Sequence, residues 1–230
     1  MRMKLLAAVS AVGLVAMAGS ASAQVTVAST VVNQLNTFST GVLLDNFDGY
    51  VAPHVTFAGN IVATENPVTD AAAPPYTGPG DISICCQGGN YNADATKFES
   101  VEGGQSSTFS AIDGRYLTSF SFYMGSPDDY NHVTFNFLGG APAQTLDGVN
   151  IWGGGEFGGD RTKGFRVYYN FHTAHVSSIV FSSGSNAFEA DNFGGNLGGV
   201  PEPASWALMI AGFGMAGGLM RAKRRQGVVA

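Results

Sequence analysis

Alternation with a period of two runs through the middle of this chain and decides what it can fold into. From Tyr116 to Met124, Thr118, Phe120, Phe122 and Met124 fall on one face, and Leu117, Ser119, Ser121 and Tyr123 on the other. That spacing belongs to a strand and not to a 3.6-residue helix. Val133, Phe135 and Phe137 alternate against Thr134 and Asn136 in the same way, and Phe165, Val167, Tyr169 and Phe171 alternate against Arg166, Tyr168 and Asn170. Further strands are predicted at Gly41 to Phe47, His54 to Ala58, Ser106 to Ile112, Val149 to Trp152, Val176 to Ser182 and Ala187 to Phe193, each bounded by Gly, Asp, Asn or Pro. With no helical pattern between them, these strands predict an all-β body, a sandwich of two antiparallel sheets with a jelly-roll-like order. Phe dominates the inward positions and anchors the space between the sheets.

The two ends of the chain are of a different kind. Arg2 and Lys4 precede the apolar run Leu5 to Ala18, and Ser20-Ala21-Ser22-Ala23 then supplies a small-residue cleavage pattern before Gln24. This is the pattern of a secretory signal peptide. At the other end, Pro201-Glu202-Pro203-Ala204-Ser205-Trp206-Ala207 leads into the apolar run Leu208 to Met220 and the basic cluster Arg221, Lys223, Arg224 and Arg225. A helix from Trp206 to Met220 rises about 22 Å, short of the ~30 Å hydrocarbon core of a bilayer, so it is expected to span as a short transmembrane helix only with thinning or snorkelling. The basic cluster is expected to stay cytoplasmic and the body outside. The expected division is 1–23 signal peptide, 24–193 β-sandwich, 194–199 Gly-rich linker, 200–225 sorting tail and 226–230 terminal residues.

Between Gln24 and Val200 the body holds sixteen acidic and five basic residues, a net charge of −11. Nucleic acid and anionic lipid recover little counterion-release energy from so few Lys and Arg, which excludes both as partners of the body. Cys85 and Cys86 are adjacent and the chain has no other cysteine. A disulfide scaffold is excluded, while a strained vicinal bridge, an intermolecular bond and two free thiols all remain open. Thr64 to Gly80, rich in Pro and Ala, is expected as a long surface loop, and Gly153 to Gly159 as another.

Catalytic signatures are thin. His172 and His175 are three apart in a strand-like stretch and point to opposite faces, and no His-Glu-x-x-His, Gly-x-Ser-x-Gly or P-loop pattern is present. Glu156, Asp160, Glu189 and Asp191 offer carboxylate pairs of the kind glycoside hydrolysis needs, but sequence does not fix their separation. Short acidic stretches at Asp45-Asn46-x-Asp48-Gly49, Asp128-Asp129-x-Asn131 and Glu189-x-Asp191-Asn192 can give oxygen ligands to a hard cation, or equally form Asx turns. Thr56 stands where an EF-hand needs its bidentate Glu, so that loop is excluded. A structural Ca²⁺ is expected on Asp45, Asp48 and Asp191. Sugar rings stack on exposed aromatic planes, and Tyr123, Tyr130, Trp152 and Tyr168 are the candidate platforms.

The ordered set of Pro-Glu-Pro, Trp206-Ala207, apolar run and basic cluster resembles the PEP-CTERM sorting signal, in its Pro-Glu-Pro-x-x-Trp-Ala variety, of exopolysaccharide-producing Gram-negative bacteria. That resemblance implies processing by an exosortase, a membrane protease-transpeptidase, with Pro201, Glu202 and Pro203 as the recognition motif. Phe122-Tyr123-Met124-Gly125-Ser126-Pro127-Asp128-Asp129-Tyr130-Asn131 is similar to a Phe-Tyr-Trp-Gly-Ser stretch of exosortase-dependent surface proteins, with Met124 in place of the Trp. Ala187 to Phe193 is similar to the last strand of carbohydrate-binding-like jelly rolls in such proteins. The expected function is therefore that of a non-enzymatic exported protein of the cell surface or matrix, associated with exopolysaccharide or biofilm and anchored transiently in the inner membrane. The alternatives are a carbohydrate-binding module and a secreted glycoside hydrolase.

Overall fold

The computed structural model describes residues 24–29, 41–62, 97–125, 128–154, 165–199 and 203–226. The signal segment, Cys85 and Cys86, the Pro-rich stretch, Glu156 and Asp160 lie outside the described residues.

Twelve strands form one mostly antiparallel sheet. They are β1 (Thr26–Ser29), β2 (Val42–Asp45), β3 (Val55–Ala58), β4 (Ile61–Val62), β5 (Phe98–Val101) and β6 (Ser106–Ala111), then β7 (Arg115–Met124), β8 (Asn131–Phe137), β9 (Gln144–Asp147), β10 (Phe165–Asn170), β11 (Val176–Ser183) and β12 (Phe188–Gly199). One arm of the sheet runs β3, β6, β11, β8, β9. The other runs β1, β10, β7, β12, and the far edge of β12 carries β5 followed by β4 and, further along, β2. The pair Val176↔Leu117 joins β11 to β7 and links the two arms, so the sheet curls into a near-barrel. The antiparallel all-β expectation is met, but the two layers are arms of one hydrogen-bonded sheet and not separate sheets.

Alternation places the core as the sequence implies. Along β8, Asn131, Val133, Phe135 and Phe137 are buried and the residues between them are half-exposed. Rings from the two arms meet across the interior: Phe122 on Phe181 at 5.3 Å, Phe109 on Phe120 at 5.4 Å and Phe135 on Tyr169 at 4.9 Å. Phe193 sits at the hub, within ring contact of Phe47, Phe57, Phe109, Phe120, Phe122 and Phe181. Edge-to-face and offset arrangements of this kind add to the area they bury.

Two expectations need correction. Val149 to Trp152 is not a strand but part of a 3-10 turn, Gly148–Trp152, closed by Gly153 in the left-handed region with its N–H on the Asn150 carbonyl. The Gly194 to Gly199 stretch is not a linker but the second half of β12, paired to β7 as far as Gly199↔Arg115. Its glycines serve close approach: a Cβ on Gly195 would collide with the Ser119 carbonyl, and one on Gly198 with the Tyr116 ring. The tail forms a helix α1 (Pro203–Gln226), but no described helix is long and apolar enough to cross a membrane. Glycines at 212, 214, 217 and 218 dilute its apolar run, and the basic cluster occupies its last turns. Four short strands, β1, β4, β5 and β9, fall outside the ranges predicted from sequence.

Candidate functional site

The tail is built from its motif outward. Pro201 and Glu202 lie outside the described residues, and Pro203 opens α1, where a fixed φ and a missing N–H suit the first helical position. Trp206, Ala207, Leu208, Ile210, Phe213, Met215 and Met220 are exposed along the helix, and so is Arg221 of the basic cluster. Lys223, Arg224 and Arg225 follow within the same helix. Strand β12 ends at Gly199 and α1 begins at Pro203, so only Val200 stands in the sequence between the last strand of the body and the first Pro of the sorting motif.

On the body, the candidate sugar platforms are not open. Tyr123, Trp152 and Tyr168 are buried, and Tyr130 is half-buried with its hydroxyl donating to the Asn186 carbonyl at 2.8 Å. Tyr123 does point away from the aromatic core, as its strand phase requires, but that second face is closed as well. Register brings Arg166 of β10, Tyr123 of β7 and Asp191 of β12 side by side. The Arg166 guanidinium lies 4.1 Å over the Tyr123 ring and 5.9 Å from that of Tyr168. It donates to Ser121 Oγ at 2.8 Å and through both terminal nitrogens to the Asn192 carbonyl at 3.2 and 3.0 Å. Burial pulls the Arg166 pKa down from its usual value, and Tyr123, Tyr168 and Asp191 oppose that shift. Burial likewise raises the Tyr123 phenol. Sequence gave one signal for this cluster: Arg166 is a basic residue within a strand of an otherwise acidic body.

The proposed calcium ligands are separated. Asp45 Oδ1 accepts the Phe47 N–H at 2.9 Å, an Asx turn. Asp48 Oδ1 accepts the Lys97 N–H at 2.9 Å, and Asp191 accepts the N–H and the side-chain amide of Asn192 at 2.6 and 2.9 Å. Among the described residues no group of three or more His, Cys, Asp or Glu stands close enough to hold a metal ion. One oxygen each of Asp45 and Asp48 accepts a backbone N–H, and the two oxygens of Asp191 take the backbone and side-chain N–H of Asn192.

Near Asp45 lies a residue that sequence reasoning missed. Glu99 of β5 faces inward opposite Ala190 and is fully buried, and neither carboxyl oxygen has a hydrogen-bond partner among the described residues. Burial, and then the nearby Asp45 carboxylate, push its pKa well above the usual range. Burial raises Asp45 too, against the pull of the Phe47 N–H.

Glu189 and Asp191, the described members of the carboxylate set, are two apart on β12 and both buried. His54 Nδ1 lies 3.1 Å from Asp113 and His132 Nδ1 lies 2.6 Å from Asp147, each pair exposed. A cavity of about 400 Å³ opens instead at the turns linking β3 to β4 and β5 to β6, lined by Asn60, Ser100, Glu102, Gln105, Ser106 and Ser107 among others.

Residues 199–225 match the family model of the PEP-CTERM protein-sorting motif. No curated protein matches the chain.

Proposed function

We propose that a chain ending in a PEP-CTERM protein-sorting motif over residues 199–225 is handed to an exosortase and placed at the cell surface or in the extracellular matrix of a Gram-negative bacterium. In this reading its tail holds it transiently at the inner membrane, and it then serves without catalysis in the exopolysaccharide or biofilm layer, as a jelly-roll-like body. The motif match carries the reading. Two features support it. Helix α1 begins at the third residue of the motif and leaves its large apolar side chains exposed for a membrane or an intramembrane partner. The body, with a net charge of −11, is repelled by anionic surfaces and stays in solution once released.

The test replaces Pro201, Glu202 and Pro203 together by alanine and follows the chain through cell fractions. The expected result is accumulation of the unprocessed full-length form in the membrane fraction, with loss from the surface and medium. Unchanged processing and distribution would refute the sorting role.

A further inference from the structure

We infer that the cavity between the β3–β4 and β5–β6 turns binds a neutral saccharide. At about 400 Å³ it lies within the range of small-ligand sites. It sits at the seam of the fold, because β5 belongs to one arm of the sheet and β6 to the other, so the turn between them crosses from layer to layer.

The wall chemistry selects the ligand. Asn60 and Gln105 bring side-chain amides that donate and accept, Glu102 brings a carboxylate that accepts, and Ser100, Ser106 and Ser107 bring hydroxyls. A ring of hydroxyls complements such a set. Among the described residues no Lys or Arg lines the cavity, and the body is strongly acidic, which disfavours phosphates and uronates. Among the described residues of the wall, Val101 supplies the one large apolar side chain, beside the amides, the carboxylate and the hydroxyls.

The strand pattern also bears on the cavity wall. Ser107 pairs with Phe181 on the inward face of β6, where alternation with Phe109 calls for an apolar side chain. A polar residue there serves something other than the core.

The rim is also set in place before any ligand arrives. Ser100 N–H donates to the Asn60 carbonyl at 3.1 Å, Gln105 N–H to the Glu102 carbonyl at 2.9 Å, and Gly103 N–H to Asn186 Oδ1 at 2.8 Å. Fixed walls lower the ordering cost of binding.

The test is calorimetric titration of the full chain with gluco-, manno- and galacto-oligosaccharides, with an oligouronate as the anionic control. At least one neutral oligosaccharide binds saturably, and Gln105→Ala and Glu102→Gln each weaken it about tenfold, as loss of one hydrogen bond to the ligand implies. Ser106→Trp, at an exposed rim position, abolishes binding while the circular dichroism spectrum and melting temperature stay those of the parent. Absence of saturable binding by every neutral sugar, preference for the oligouronate, or binding that survives Ser106→Trp overturns the inference. Sorting is read from the tail, so any of these results leaves the proposed function standing.

Discussion

Replacing Glu99 by methionine stabilises the protein, and does so more as the pH rises. The side chain is fully buried and both its oxygens lack partners among the described residues, so an apolar side chain of similar length removes a desolvation penalty of about 1–3 kcal/mol even when the carboxyl is neutral. The pH dependence follows from linkage. Burial, with Asp45 nearby, raises the folded pKa above the ordinary glutamic acid value of 4.5, so the native state holds the proton more tightly than the unfolded chain does. The contribution of that proton is fully present below about pH 4.5 and is lost as the pH climbs through the folded value. One proton sets a slope of up to ~1.4 kcal/mol per pH unit across this window. Asp45, also raised by burial, adds a slope of the same sign. Urea unfolding of the full chain from pH 4 to 8, followed by the fluorescence of buried Trp152, measures both effects. Parent stability falls with pH through this range, and the Glu99→Met variant keeps only the share due to Asp45. A parent profile that is flat or rising, with the variant running parallel to it, refutes the reasoning and shows that Glu99 is ionised and paired in solution.

Phe193→Ala empties the hub of six ring contacts and lowers stability by about 3–5 kcal/mol in urea unfolding; a loss under about 1 kcal/mol would mean that the interior collapses around the gap. Arg166→Met leaves the Asn192 carbonyl and Ser121 Oγ without their guanidinium donor and the buried Asp191 without its facing cation, at a cost of about 3–5 kcal/mol. An unchanged unfolding midpoint in that variant would contradict the contacts described.

The strands most legible in the sequence were those whose side chains separate into two clean faces over six or more residues, as in β7, β8, β10 and β11, while the four-residue β2 and β3 were found from the Gly, Asp, Asn and Pro that bound them. Where the partner decides the state, sequence misleads. The glycines at 194, 195, 198 and 199 have the composition of a flexible linker, yet β2 and β7 flank this stretch and the Tyr116 ring lies against Gly198. Tyr123 and Tyr168 were correctly placed opposite the apolar face, but alternation says only which way a side chain points and not whether that side is covered. The unpartnered state of Glu99 was invisible for the same reason, because a carboxyl in Phe-Glu-Ser-Val looks like any polar strand residue until β12 and Asp45 are set around it. The tail needed no such context: its information lies in consecutive residues, which is why one stretch matched a known motif.

The single residue in the sequence between β12 and the sorting motif bears on mechanical load. A body held by its C-terminal tail receives tension through Gly199, the end of a strand that pairs with β7 along its length and with β2 and β5 on its other edge. Tension along that strand meets hydrogen bonds lying across its axis. It therefore strains many of them together in shear and does not open them one at a time. The tail thus joins the body at a strand that is held by hydrogen bonds on both of its edges.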